Sequence, residues 1–216
     1  ALADFFAYLD KTIGKGNYLT FLTADHGAVN NAAFLQDQRI PAGIWNGKSM
    51  VKELNQELKA KFNTDKDLVM TIMNYQVFFN TATIEEAGLD YAAVKQVVVN
   101  RLKKEKIVHY AFDMEKTSTE SIPEQLKFRA INGYNRERSG GVQIVLKPAH
   151  YEYDVAKGTS HGAWNPYDIH IPLVFMGWHI QHGATTQPHY MTDIAATVSA
   201  LLHIQAPNGC IGTPIF

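Results

Sequence analysis

The sequence predicts an α/β protein in which helices flank a sheet, with a small α+β unit inserted into the middle of the chain. Short apolar runs at residues 19–22 and 171–176 are typical of core strands. Between them, over residues 69–147, strand-like and helical patterns alternate. With 46% hydrophobic and 19% charged residues in a chain of 216, the composition is that of a globular protein with a sizeable core.

The first segment, residues 1–66, is predicted to begin the main sheet. Apolar residues recur at helical spacing and predict a helix over residues 1–13: Leu2, Phe5, Phe6, Leu9 and Ile13. No N-cap residue precedes this helix, so we expect the chain to be the C-terminal portion of a longer protein. The run at residues 19–22 predicts a parallel strand that is buried on both faces. A second helix is predicted over residues 49–62, with Ser49 as its N-cap.

The middle segment, residues 67–150, is predicted to be the inserted subdomain. Its order is strand (69–80), helix (91–104), strand (106–113), helix (122–131) and strand (141–147). Asn74 is predicted to mark a turn or bulge within the first of these strands. The β-α-β-α-β alternation therefore predicts a separate α+β unit between two parts of the main sheet.

The last segment, residues 151–216, is predicted to return to the main sheet. A loop that carries His161 leads into a second core strand at residues 171–177, and a helix is predicted over residues 192–202. Pro207, Gly209 and Gly212 predict that the chain ends as a loop.

Charge and cysteine content exclude several classes of function. A net charge of −1 gives no electrostatic footprint for nucleic acid. No run approaches the roughly 20 apolar residues that a membrane-spanning helix needs. The single Cys210 excludes an internal disulfide and a cysteine-based zinc cluster.

The candidate metal-binding residues are predicted to lie in the loops that adjoin the two core strands. Asp25 and His26 follow the first strand, at the carboxyl end where open α/β sheets place their ligands. A carboxylate beside an imidazole suits a divalent metal such as Zn²⁺. The alternative is a loop aspartate that caps a turn beside a surface histidine.

Three sequence segments together resemble the alkaline phosphatase superfamily. They are TADHG (23–27), GTSHG (158–162) and PYDIHIPLVFMG (166–177), in this order and each beside an apolar strand. The nearest likeness is to the bacterial single-chain branch with a threonine nucleophile and to type I phosphodiesterases and nucleotide pyrophosphatases. The fold that this implies is an alkaline-phosphatase-like sheet flanked by helices, present here only in part.

The resemblance implies phosphoryl transfer at two Zn²⁺ ions through a covalent phospho-enzyme. By motif, Asp25 and His26 match ligands of the zinc that holds the nucleophile, and His161 matches a ligand of the other zinc. Asp168 and His170 lie in the family-like segment and could orient His161, or they could cap and pack the entry to the second strand. Small phosphate monoesters or diesters are the implied substrates, and the periplasm or the exterior of the cell is the implied location.

The family also has a nucleophile, another metal-binding aspartate and an Asp-x-x-x-His pair. No residues before Asp25 in this sequence match these features. We therefore expect the chain to carry part of a two-zinc site, to be inactive by itself, and to self-associate through exposed apolar surface. Two alternatives stay open: a sulfatase or phosphonate hydrolase of the same superfamily, and a non-catalytic binding domain on this fold.

Other polar residues allow two interpretations each. Lys157, Thr159 and Ser160 could contact a substrate phosphate or could simply position His161. Three histidines near the C-terminus could form an extra metal cluster, but their irregular spacing favours surface loops: His179, His182 and His189.

Overall fold

The computed structural model describes residues 1–153, 158–162 and 164–216. In chain order its helices are α1 (Leu2–Thr12), α2 (Ala32–Asp37), α3 (Gly47–Phe62), α4 (Thr81–Glu86), α5 (Tyr91–Leu102), α6 (Glu124–Gly133), α7 (Pro166–Ile169) and α8 (Asp193–Leu201), with a 3₁₀ helix at Met114–Thr119. Its strands are β1 (Leu19–Thr23), β2 (Gly43–Trp45), β3 (Val69–Met73), β4 (Gln76–Phe79), β5 (Val108–Asp113), β6 (Val142–Leu146), β7 (His150–Glu152) and β8 (Leu173–Gly177).

These elements form two compact units. One comprises residues 1–24 and 172–216, and the other comprises residues 25–171. The predicted boundaries after residues 66 and 150 both fall inside the second unit, because α3 packs against β3 and α5 across the first boundary and β7 spans the second. The division into three segments at residues 1–66, 67–150 and 151–216 stays a prediction.

In the first unit, β1 and β8 form a two-stranded antiparallel sheet. The prediction that β1 is a parallel strand buried on both faces was wrong. Phe175 packs against the rings of Phe21 and Phe216 on one face. On the other face the cross-strand pair Leu22 and Val174 is 56% and 52% exposed. An apolar run indicates that both faces of a strand are apolar, but it does not specify what covers each face.

The second unit contains a four-stranded antiparallel sheet in the order β3-β4-β6-β5. All five residues of β6 are buried, as expected for a central strand. Helices α3 and α5 cover one face through apolar residues one turn apart, which include Leu54, Leu58, Val94, Val98 and Leu102. Helix α6 covers the other face, where Leu126 packs with Phe112 and Val145. The α+β character predicted for residues 67–150 is therefore present in the structure.

The hairpin between β3 and β4 turns through two residues. Met73 pairs with Gln76, so Asn74 and Tyr75 are the only loop residues. Both have positive φ, 50° and 60°, as a type I′ hairpin turn requires. The prediction of a turn at Asn74 is confirmed.

Helix α3 begins two residues earlier than the sequence predicted. Its N-cap is Asn46, whose side-chain oxygen accepts a hydrogen bond of 3.0 Å from the backbone N–H of Ser49. The assignment of Ser49 as the cap was wrong, because Asn46, three residues earlier, caps the helix and places Ser49 inside its first turn.

Candidate metal centre

Two loops of the second unit bring the predicted metal ligands together. His26 lies in the loop between β1 and α2, and His161 lies in the loop that precedes α7. Their imidazole rings stack with centroids 3.6 Å apart and planes 18° apart. These two histidines are 135 positions apart in the sequence (161 − 26), so their meeting is a property of the fold.

Each imidazole is held through its Nδ1 atom. His26 Nδ1 lies 2.7 Å from the backbone carbonyl of Gly27, and His161 Nδ1 lies 3.1 Å from that of Gly162. A carbonyl only accepts hydrogen bonds, so each Nδ1 is the donor, and in the neutral imidazole Nε2 then keeps its lone pair. This is the tautomer that a metal-binding histidine uses when its second nitrogen is anchored to a carbonyl.

Asp25 completes the local donor set. Its Oδ1 accepts the backbone N–H of His26 at 3.0 Å, and its Oδ2 lies 3.5 Å from His26 Nε2. The Asp25 side chain is 87% exposed and is therefore open to a ligand. Carboxylate oxygens and imidazole nitrogens are both ligands that Zn²⁺ binds in proteins.

Asp168 ties the two ligand-bearing loops to helix α7. Its backbone carbonyl accepts the N–H of Gly27 at 2.8 Å, and its Oδ1 accepts the N–H of Gly162 at 2.9 Å. Asp168 is buried, and within the described residues its Oδ2 has no hydrogen-bond partner. Asp168 thus contacts the residue that follows each of the two histidines.

Further contacts join the same two loops. The Thr159 hydroxyl donates to the carbonyl of Val29, and the Asn31 side-chain amide donates to the carbonyl of Gly158. The Tyr151 hydroxyl donates to that same carbonyl at 3.3 Å. For Thr159 these contacts favour a positioning role over a contact with phosphate. Lys157 lies outside the described residues.

Tyr75 reaches the site from the β3–β4 hairpin. Its hydroxyl donates to the backbone carbonyl of His161 at 3.1 Å and accepts the backbone N–H of Glu152 at 3.1 Å. Burial raises the pKa of Tyr75 to about 12. Sequence reasoning missed this residue, because the only local signal was the turn at Asn74.

The other predicted residues lie elsewhere. His170 is exposed at the C-terminal end of α7, and its side chain makes no hydrogen bond or ion pair with any described residue. His179 and His182 are exposed, and His189 lies 3.8 Å from the carboxylate of Asp193. Within the described ranges no group of three or more His, Cys, Asp or Glu residues is arranged to hold a single metal ion.

Comparison with known proteins identifies the family. The model for type I phosphodiesterase / nucleotide pyrophosphatase matches residues 1–168, and the chain belongs to that family. Together with the relatives below, this match confirms the resemblance to the alkaline phosphatase superfamily.

Three relatives match nearly the whole chain. It is 48% identical over 214 residues to alkaline phosphatase PafA of Elizabethkingia meningoseptica, which is 99% of this chain and 39% of PafA. It is 47% identical over 224 residues to alkaline phosphatase PhoV of Synechococcus elongatus, which covers 99% of this chain and 38% of PhoV. A protein named calcium-transporting ATPase, from Myroides odoratus, is 46% identical over 215 residues, with 99% and 39% covered.

Solved structures confirm the fold. The crystal structure of wild-type PafA superimposes with a TM-score of 0.94 at 48% identity, over 99% of this chain and 40% of that one. A PafA variant gives a TM-score of 0.93 at the same identity and coverage. The chain thus has the mixed α/β fold of PafA over this length, and it spans about two fifths of the relatives it matches.

None of the helices in the described part of the chain has the length and apolar character needed to span a bilayer.

Proposed function

We propose that this chain contributes Asp25, His26 and His161 to a two-zinc site that hydrolyses phosphate esters. Asp25 and His26 would bind one zinc, and His161 would bind the other. The observation that carries the proposal is the pairing of the two imidazoles 3.6 Å apart, each with Nδ1 anchored to a carbonyl. That anchoring leaves both Nε2 atoms able to bind metal.

The residues of this chain have distinct parts in the proposed site. When bound, two zinc ions polarise the phosphoryl oxygens and stabilise the attacking and leaving oxygens. Asp25 supplies negative charge beside His26, and Asp168 holds the backbone of both loops. From the resemblance we also propose that the nucleophile of the phospho-enzyme and the remaining zinc ligands lie outside these 216 residues. We propose that the chain alone is therefore inactive.

The substrate class follows from the family and the names of the relatives. PafA and PhoV are named alkaline phosphatases, which favours monoesters, and the family description names phosphodiesterases, which favours diesters. We propose a small phosphate ester as substrate. By the same resemblance we propose that the enzyme acts in the periplasm or outside the cell.

The test combines metal content with hydrolysis. Zinc is quantified by mass spectrometry, and hydrolysis is measured with p-nitrophenyl phosphate, its bis ester and ATP. Both the protein in its full natural length and the 216-residue chain are assayed. We expect a zinc-loaded, active long form beside an inactive chain.

Variants make the test specific to the proposed ligands. His26→Gln and His161→Gln should each lower the zinc content and the activity of the long form. His109→Gln is the matched control, because His109 is exposed on β5 and plays no part in the site. A metal-free, inactive long form would favour the binding-domain alternative, and preference for a sulfate or phosphonate ester would favour the other one.

A further inference from the structure

The peptide group between His161 and Gly162 is hydrogen-bonded at both of its polar atoms. Its carbonyl oxygen accepts from the Tyr75 hydroxyl at 3.1 Å, and its N–H donates to Asp168 Oδ1 at 2.9 Å. The two partners belong to different elements, since Tyr75 lies in the β3–β4 turn and Asp168 lies in α7. This peptide adjoins the Cα atom from which the His161 imidazole projects.

The Tyr75 hydroxyl has only one way to engage this peptide. A tyrosine hydroxyl has a single hydrogen to donate. Because the hydroxyl oxygen accepts the N–H of Glu152, that hydrogen is directed to the His161 carbonyl.

Tyr75 is itself firmly held in an unfavourable backbone conformation. Its φ of 60° lies in the left-handed region, where glycine or asparagine is the ordinary choice in a type I′ turn. Its carbonyl accepts from the N–H of Ile144 at 2.8 Å and from the Gln143 side chain at 3.1 Å. Backbone strain of this kind persists where the surroundings hold it, and it clusters at functional sites.

Asp168 holds the N–H of the same peptide group at short distance. A Cβ added at Gly162 would lie 2.8 Å from Asp168 Oδ2, so the carboxylate approaches this peptide as closely as glycine allows. Asp168 is 2% exposed, and its backbone carbonyl also accepts the N–H of Gly27. Asp168 therefore joins the His161 loop to the His26 loop by one hydrogen bond to each.

We propose that Tyr75 and Asp168 are positioning residues that clamp the His161–Gly162 peptide from opposite ends and so orient the His161 imidazole for metal. The effect on zinc rests on the proposed function. The clamp itself rests on contacts between residues of this chain, so the two proposals are tested separately.

The first measurement uses hydrogen–deuterium exchange in the zinc-free protein of full natural length. Tyr75→Phe removes the hydroxyl that donates to the His161 carbonyl, and Asp168→Ala removes the carboxylate that accepts the Gly162 N–H. Each should speed exchange in the peptide that carries His161 and Gly162 by about 2- to 10-fold, as expected for the loss of one hydrogen bond. Tyr91→Phe is the control, because Tyr91 is a partly buried tyrosine of the same unit that packs on Phe79.

The second measurement is zinc affinity, by competition with a chromophoric chelator. Each single variant should bind zinc about 10-fold more weakly, as substitutions behind a metal ligand do. Because both residues hold one peptide, the double variant should lose far less than the roughly 100-fold product of the single losses. Tyr91→Phe should leave the affinity unchanged.

The outcomes separate the two proposals. If the unsubstituted protein binds no zinc, the proposed function fails, while faster exchange in Tyr75→Phe still supports the clamp. If zinc binds and both variants match Tyr91→Phe in exchange and affinity, the clamp is overturned. Independent, multiplying losses in the double variant would also contradict a shared peptide.

Discussion

At the scale of single residues, Lys95 shows how the second unit accommodates a buried charge. Its side chain is 2% exposed on α5, where Nζ donates to Asp113 at 2.8 Å and to Glu115 at 2.6 Å. The same ammonium lies 4.7 Å from the centre of the Tyr91 ring. A buried ammonium is tolerated only when it is paired in this way.

The pair formed by Lys95 and Glu115 predicts a specific response to acid. The hydrogen bond from Lys95 holds the pKa of Glu115 below its ordinary value of 4.5. A carboxyl group whose pKa is lower in the folded state stabilises the fold above its ordinary pKa, and this contribution is lost as the pH falls through the lowered value. Glu115→Gln should therefore lose less stability than the unsubstituted protein between pH 4.5 and more acidic conditions.

Urea unfolding at a series of pH values down to about 3 measures this difference, since the window lies below the ordinary pKa of a glutamate. Glu137→Gln is the matched control, because Glu137 is exposed and the charge change is the same. Parallel pH curves for the Glu115→Gln variant and the unsubstituted protein would contradict the prediction.

Gly27 is a second residue with a sharp steric requirement. A Cβ at this position would lie 1.9 Å from the backbone carbonyl oxygen of Tyr167, which has no freedom to move away as a side chain would. Gly27→Ala should push the loop from α7, break the hydrogen bond to the Asp168 carbonyl, and lower the free energy of unfolding by roughly 1–3 kcal/mol. Zinc binding should weaken with it.

Thermal unfolding and zinc titration test this prediction. Gly133→Ala provides the control, because a Cβ at Gly133, the last residue of α6, would meet nothing within 4 Å. Equal stability and zinc affinity in the Gly27→Ala and Gly133→Ala variants would refute the steric account.

At the scale of elements, the start of α3 distinguishes the observed cap from the predicted one. Asn46→Ala removes the acceptor for the Ser49 N–H and should lower the free energy of unfolding by about 1 kcal/mol. Ser49→Ala leaves the cap intact and should change stability by less than about 0.5 kcal/mol. Chemical denaturation of both variants decides the point, and the reverse ranking would restore Ser49 as the cap.

In the middle of the chain, the positions of helices and strands are predicted from the sequence more accurately than the pairing between strands. The apolar spacing in α5 and the short runs of β5 and β6 predict these elements to within two residues. Strand pairing depends on distant residues: nothing within the run at residues 19–22 specifies its antiparallel partner, β8. The helix boundary at Asn46 was missed because two candidate caps lie three residues apart.

The residues of the candidate site likewise fall into those that local motifs predict and one that only the fold reveals. The sequence predicted Asp25, His26 and His161 as ligands because their motifs are local, and the structure brings the two imidazoles together. Asp168 was predicted as an orienting residue from its place in a motif, and its contacts support that role. Tyr75 carries no such motif and acts on a carbonyl 86 positions away, so only the fold reveals it.

At the scale of the whole molecule, the first unit exposes a continuous apolar strip. One face of the β1–β8 sheet presents Leu22, Val174 and Met176 beside one another. Exposed sheet faces of this kind favour association. We predict that the 216-residue chain self-associates and that its sedimentation coefficient rises with concentration.

Replacing Leu22 and Val174 with lysine should abolish the association, because charge on the strip disfavours burial. The matched control places two lysines at Ser118 and Thr119, which are exposed in the second unit. A sedimentation coefficient that is independent of concentration in the unsubstituted chain would contradict the prediction.

The central claim is that two stacked histidines from distant loops bind zinc through their Nε2 atoms. Anomalous diffraction at the zinc edge, on crystals of the protein in its full natural length grown with zinc, tests it most directly. The account predicts anomalous peaks about 2.0–2.1 Å from the Nε2 atoms of His26 and His161. Peaks confined to His179, His182 or His189, or no peak near the stacked pair, would contradict it.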